Sequence, residues 1–113
     1  MRTKKKILTR AVAIKTVKEF VKVCGDHNLS FDKVILFGST ARNKAHQWSD
    51  IDVAFASKSF KHDPFQDRHI LNRFVLKDEK FLDLQFHPFP TKYFNEGDPF
   101  IDEIKRTGIE IKT

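Results

Sequence analysis

The sequence predicts an α+β domain, and three observations carry that reading. Apolar residues recur three and four apart between residues 7 and 24, an unalternating apolar run occupies residues 34–37, and polar and apolar residues alternate at 50–56 and again at 82–87. The first spacing belongs to a helix, the other two to strands.

The first element comes from Ile7, Ala11, Ile14, Val17, Val21 and Cys24, which share one helical stripe while Lys15, Lys18, Glu19 and Lys22 fall off it. The turn formers Gly25, Asp26, His27 and Asn28 stop that helix. Val34, Ile35, Leu36 and Phe37 then read as a short buried strand, broken by Gly38. Ser39 is placed to cap a helical turn running to Arg42, and the polar residues 43–49 read as an exposed loop. In the next strand Asp50, Asp52, Ala54 and Ala56 point one way and Ile51, Val53 and Phe55 the other, so both aspartates share a face. A polar interval with Pro64 leads into a helix over about residues 65–76, with Ile70, Leu71, Phe74 and Val75 on its apolar side. After Lys77, Asp78, Glu79 and Lys80 the alternation returns. Leu82, Leu84 and Phe86 lie on one face and Asp83, Gln85 and His87 on the other, which puts a third acid on a strand. Pro88 and Pro90 are expected to end it. Asp98 and Pro99 open a last helix, Gly108 closes it, and residues 109–111 form a short final segment.

Composition narrows the class. A chain of 113 residues with 40% apolar content fits one domain, residues 1–113, with residues 1–6 as a basic tail. The single Cys24 leaves no intramolecular disulfide and no cysteine zinc cluster. The N-terminal charges are not followed by the apolar run of a signal peptide, and no stretch has the eighteen apolar residues of a membrane span, so a cytoplasmic protein without a membrane role is expected. Residues 1–22 hold eight Lys/Arg against Glu19, and the remaining residues carry a net charge of −1, so the overall +6 belongs to one end. Such an end suits nucleic acid, an acidic partner or ligand phosphates, and equally a solvated helix face.

Two carboxylates on one strand face are the unusual feature. Like charges about 4 Å apart repel by roughly 4 kcal/mol at an effective dielectric near 20, so Asp50 and Asp52 side by side call for a cation. Magnesium prefers carboxylate oxygens and commonly binds through one or two of them plus substrate phosphates; Asp83 would complete the set if its strand lies alongside. Two ions about 4 Å apart can activate an attacking oxygen and steady a leaving pyrophosphate. Gly38 and Ser39 suit the phosphates, because glycine admits close backbone approach and N–H groups at a helix start attract anions. Arg42 fits a phosphate in bidentate geometry, and fits an exposed helix end as well.

These residues carry a resemblance. Phe37-Gly38-Ser39-Thr40-Ala41-Arg42, Ser49-Asp50-Ile51-Asp52 and then Asp83 resemble the signature of the DNA polymerase beta-like nucleotidyltransferase superfamily, in particular its minimal nucleotidyltransferases, over most of the chain. The resemblance implies a small mixed sheet flanked by helices and transfer of a nucleoside monophosphate, usually AMP from ATP, to a hydroxyl. It implies two Mg2+ ions held by Asp50, Asp52 and Asp83, with Asp83 binding metal or helping to deprotonate the acceptor, and a triphosphate held by Gly38 and Ser39. The glycine that usually follows the arginine is Asn43 here; asparagine tolerates left-handed backbone better than most residues, so the substitution bears on rate more than on fold. Similar minimal proteins are often antitoxins paired with a HEPN-domain ribonuclease, some of which they inactivate by attaching AMP to a tyrosine. A partner subunit or self-association is therefore expected to complete the site.

Other residues read more plainly. Trp48 could stack on a base, though an aromatic in a polar loop more often packs locally. His27, His46, His62, His69 and His87 lack paired metal spacing and read as surface or packing residues, with His87 distinguished by sharing the face of Asp83. The twelve phenylalanines read as core, and Cys24 as a buried thiol. Two alternatives stand beside catalysis: a binding module that silences its partner by covering it, and a nucleic-acid binder using residues 1–22.

Overall fold

Helix α1, Arg10–Asp26, begins where Thr9 accepts the Val12 N–H at 3.1 Å. These observations come from a computed structural model that describes residues 9–42 and 50–112. The core-facing side of α1 is Ala13, Val17, Phe20 and Cys24, with Ile14 and Val21 at its margin and Ala11 exposed. The stripe is thus turned slightly from the expected one, because Phe20 is the largest apolar side chain on the helix and takes the centre. The helix runs through Gly25 and ends one residue past it. Asn28 adopts φ +68, and Leu29 donates to the Cys24 carbonyl at 2.9 Å, so the left-handed residue that ends the helix is asparagine.

Strands β1 (Lys33–Phe37), β2 (Ile51–Ser57), β3 (Leu84–Pro90) and β4 (Ile109–Glu110) form one sheet in the order β3-β2-β1-β4. The β1–β2 and β1–β4 pairs are antiparallel and β2–β3 is parallel, so the sheet is mixed. Among the described residues four α-helices flank it: α1, α2 (Pro64–Asn72), α3 (Thr91–Glu96) and α4 (Pro99–Thr107).

Alternation along β1 and β2 splits the core in two. Val34, Leu36, Ile51, Val53 and Phe55 face α1 together with Leu71 of α2, while Ile35, Ala54 and Ala56 meet Phe94 of α3 and Ile101 and Ile104 of α4 on the other side. Alanines at 54 and 56 leave room for the shorter helices to approach. On the first side Phe20 packs on Phe55, Phe81 and Phe86 at centroid distances of 5.9, 5.1 and 5.1 Å.

Several expectations shift in the second half. The helix expected over residues 65–76 stops at Asn72, and the chain tightens into 3₁₀ turns at Val75–Lys77 and Glu79–Asp83. Asp83 therefore closes a 3₁₀ turn instead of lying on a strand. Asp78 caps that turn through the Lys80 N–H at 3.1 Å, which holds the polar run helical until Phe81 is buried against Phe20. The prolines do not end β3, which runs through Pro88 to Pro90; an edge strand has no ladder bond to lose on its outer side. Helix α3 was not expected; its six residues fall below the length at which periodicity is visible, and Gly97 at φ +83 terminates it. Asp98 caps α4 through the Ile101 N–H at 2.7 Å and accepts the Tyr93 hydroxyl, which together hold its carboxyl below the usual range. Asp67, fully buried, accepts the N–H groups of Lys61 at 2.9 Å and Asp63 at 3.1 Å and so fixes the loop ahead of α2. Among the described residues no helix is long and apolar enough to cross a membrane.

Phe20→Ala should lower stability by about 3–5 kcal/mol, measured by chemical denaturation, because three aromatic partners cannot collapse into the space it leaves. Burial pushes the Cys24 thiol up to about 12. Alkylation at neutral pH should therefore proceed only as fast as the protein unfolds, and mass spectrometry should find native protein unlabelled after reagent has consumed a model thiol.

Candidate active site

The turn between β1 and β2 brings the motif residues together. Phe37, the last residue of β1, pairs with Asp52, so Gly38 leaves the sheet directly beside that aspartate. Gly38 has φ +80, and a Cβ placed on it would lie 2.5 Å from Asp52 Oδ2. Both facts demand glycine: the backbone is left-handed and the carboxylate occupies the space of a side chain. The chain then makes a single turn closed by the Arg42 N–H on the Gly38 carbonyl at 3.2 Å, with Ser39 half-buried and Arg42 exposed. The expected turn running to Arg42 is therefore present.

Two bonds anchor the turn. The Thr40 hydroxyl, itself buried, donates to the Asp50 carbonyl at 3.2 Å, and Arg10 Nε donates to the Ala41 carbonyl at 3.0 Å. The first ties the glycine turn to the entry of β2, and the second ties it to the start of α1. Neither was apparent from spacing, since Thr40 lies within the motif without a role of its own in the reading above.

Asp50 is exposed just ahead of β2, and Asp52 follows on the strand, half-buried. Parallel pairing of β2 with β3 sets Gln85 opposite Asp52 and His87 opposite Ala54, so Gln85 and His87 share the aspartate face. His87 Nε2 lies 3.3 Å from Asp52 Oδ1. The His87 ring meets the edges of Phe37 at 4.9 Å and Phe100 at 5.8 Å, and those two phenylalanines contact each other at 5.9 Å. Phe100, at the start of α4, remains 48% exposed, which gives the face a partly open aromatic border. The clue to His87 was its position on the face of Asp83; what spacing lacked was the parallel register.

Asp83 is buried immediately before Leu84, whose partner is Ile51, and so lies at the same end of the sheet as Asp50. Among the described residues, however, no three His, Cys, Asp or Glu side chains are gathered into a group that could hold a metal ion. The structure thus brings Gly38, Asp52 and His87 together, with Asp50 two residues before Asp52 and just outside β2, and among the described residues it does not assemble the expected three-acid cluster. Asn43, His46, Trp48 and the tail over residues 1–6 lie outside the described residues. His27 donates from Nδ1 to the Val23 carbonyl at 2.9 Å, and His62 packs on Tyr93 at 4.1 Å, in keeping with packing roles.

The donor set fits magnesium in the mode that uses two carboxylates with the remaining positions filled by water and phosphate oxygens. Asp50 and Asp52 would supply those carboxylates, and the Gly38 turn offers backbone, not side chain, to whatever approaches them. Gly38→Ala should cost about 1–3 kcal/mol from the left-handed backbone alone. It should also displace Asp52; thermal melting reads the first effect and a crystal structure of the variant the second.

Comparison with known families and structures adds to this geometry. The family described as "Nucleotidyltransferase domain" matches residues 14–111. Comparison with curated protein sequences gives no match. Among solved structures, the fold is similar to the crystal structure of a Sulfolobus solfataricus protein assigned as a nucleotidyltransferase. The TM-score is 0.60 at 22% identity, over 89% of this chain and 80% of that one.

Proposed function

Because the chain belongs to the nucleotidyltransferase domain family, we propose that it transfers a nucleoside monophosphate, AMP from ATP, to a hydroxyl acceptor with magnesium. The observation that supports this most directly is the packing of the Asp52 carboxylate on the Gly38 turn, which sets a carboxylate and a close-approach backbone at one point. In the reaction the acceptor oxygen forms a bond to the α-phosphorus, the bond from that phosphorus to the bridging oxygen breaks, and pyrophosphate leaves as the hydroxyl proton passes to solvent. Magnesium, when bound, would neutralise phosphate charge and lower the barrier to displacement.

The chain's residues have separable parts in this. Asp50 and Asp52 would hold the cation from one strand face; Gly38 and Ser39 would let the triphosphate lie against backbone; Arg42, exposed at the end of the turn, would meet a phosphate oxygen. Thr40 and Arg10 keep that turn in place relative to β2 and α1. Asp83 lies buried at the same sheet end, where the resemblance would have it bind metal or help deprotonate the acceptor. We assign the acceptor to a tyrosine of a HEPN-domain partner protein, on the strength of the resemblance to minimal nucleotidyltransferases.

Incubation of the chain with ATP, Mg2+ and such a partner should add the mass of AMP to the partner, read by intact mass spectrometry. Loss of outer-shell groups alone costs about 10–100-fold at metal sites, so Asp50→Asn or Asp52→Asn should slow transfer by more than about 100-fold. A partner fully inhibited yet unmodified would replace this reading with one of neutralisation by covering.

A further inference from the structure

The Asp52 carboxylate is addressed from two sides. Oδ2 rests against the Gly38 backbone at the end of β1, and Oδ1 faces His87 Nε2 from β3 at 3.3 Å. His87 is not free to turn away. Its ring packs edge-to-face with both Phe37 and Phe100, which also touch each other, and its side chain is only 20% exposed. A neutral imidazole with its proton on Nε2 donates to a carboxylate in this geometry, and such bonds shorten when a site is loaded.

We propose that His87 is a positioning residue that fixes the orientation of Asp52 by donating Nε2–H to Oδ1, so that the free lone pairs of the carboxylate are aimed at the cation. This rests on the assignment of Asp50 and Asp52 as the metal-facing pair. A carboxylate held by an outer hydrogen bond loses less freedom on binding, and at metal sites such partners are worth about 10–100-fold in affinity. Gln85, opposite Asp52 on the same face, is exposed.

The test separates the donor from the ring. His87→Phe keeps an aromatic ring against Phe37 and Phe100 and removes the nitrogen; His87→Gln keeps an N–H donor and removes the ring; His87→Leu serves as a second variant without a donor. The probe is Mn2+ together with α,β-methylene-ATP, with free Mn2+ read by electron paramagnetic resonance and folding by thermal melting. His87→Phe or His87→Leu, folded, should bind Mn2+ about 10–100-fold more weakly than the unaltered chain, and His87→Gln should recover most of that loss. Unchanged affinity in a folded donorless variant, or His87→Gln as weak as His87→Phe, overturns the role of His87 alone. If the unaltered chain itself binds no Mn2+ in the presence of the analogue, the assignment of Asp50 and Asp52 falls, and this inference falls with it.

Discussion

The close approach of the Asp52 carboxylate to the Gly38 backbone is the constraint on which the candidate site depends. It requires β1 and β2 to pair in the register that sets Phe37 against Asp52, and it requires a residue without a side chain at the point where the strand turns. A slip of one residue in that register would send Asp52 to the face occupied by Val53 and Phe55, into contact with α1. The same alternation that fills the larger core therefore fixes where the carboxylate points. Packing on one side of the sheet and chemistry on the other are two results of a single pairing.

The smaller core explains why that second face can carry polar groups at all. Ala54 and Ala56 occupy the middle and the far half of β2 beneath Phe94, Ile101 and Ile104, whereas Asp52 lies near its start and is only half-buried. Helices α3 and α4 are short, and α4 begins with Phe100 beside His87, so the apolar cover stops at an aromatic border next to the carboxylate. A longer helix here would have buried Asp52 at a desolvation cost that a lone carboxylate does not meet.

Legibility in the sequence followed the strength of local pattern. The alternation that sets Asp52 with Ala54 and Ala56, the break at Gly38, the cap at Asp98 and the buried Cys24 were visible because each is encoded within a few neighbouring residues, whereas Asp50, read as part of that strand, lies just ahead of it. Asp83 was misplaced for the same reason: Leu82, Leu84 and Phe86 alternate well enough to imitate a strand one turn early, and only the burial of Phe81 on Phe20 decides for the 3₁₀ turn. The His87–Asp52 contact needs the parallel register of β3 on β2, which depends on residues more than thirty positions apart. Thr40 escaped because a buried hydroxyl reaching a carbonyl ten residues later leaves no periodic trace.

The margins of the sheet are unequal in length yet alike in what they refuse. On one side β3 ends in Phe-Pro after His-Pro, so two of its seven residues offer no amide hydrogen to a newcomer, and on the other β4 is only two residues long. Lengthening by strand addition, the commonest route by which small mixed sheets recruit strangers or grow into fibrils, is therefore blunted at both rims. Encounters with other macromolecules must use side-chain surfaces, where charge and shape can discriminate, instead of the indiscriminate grammar of the peptide backbone.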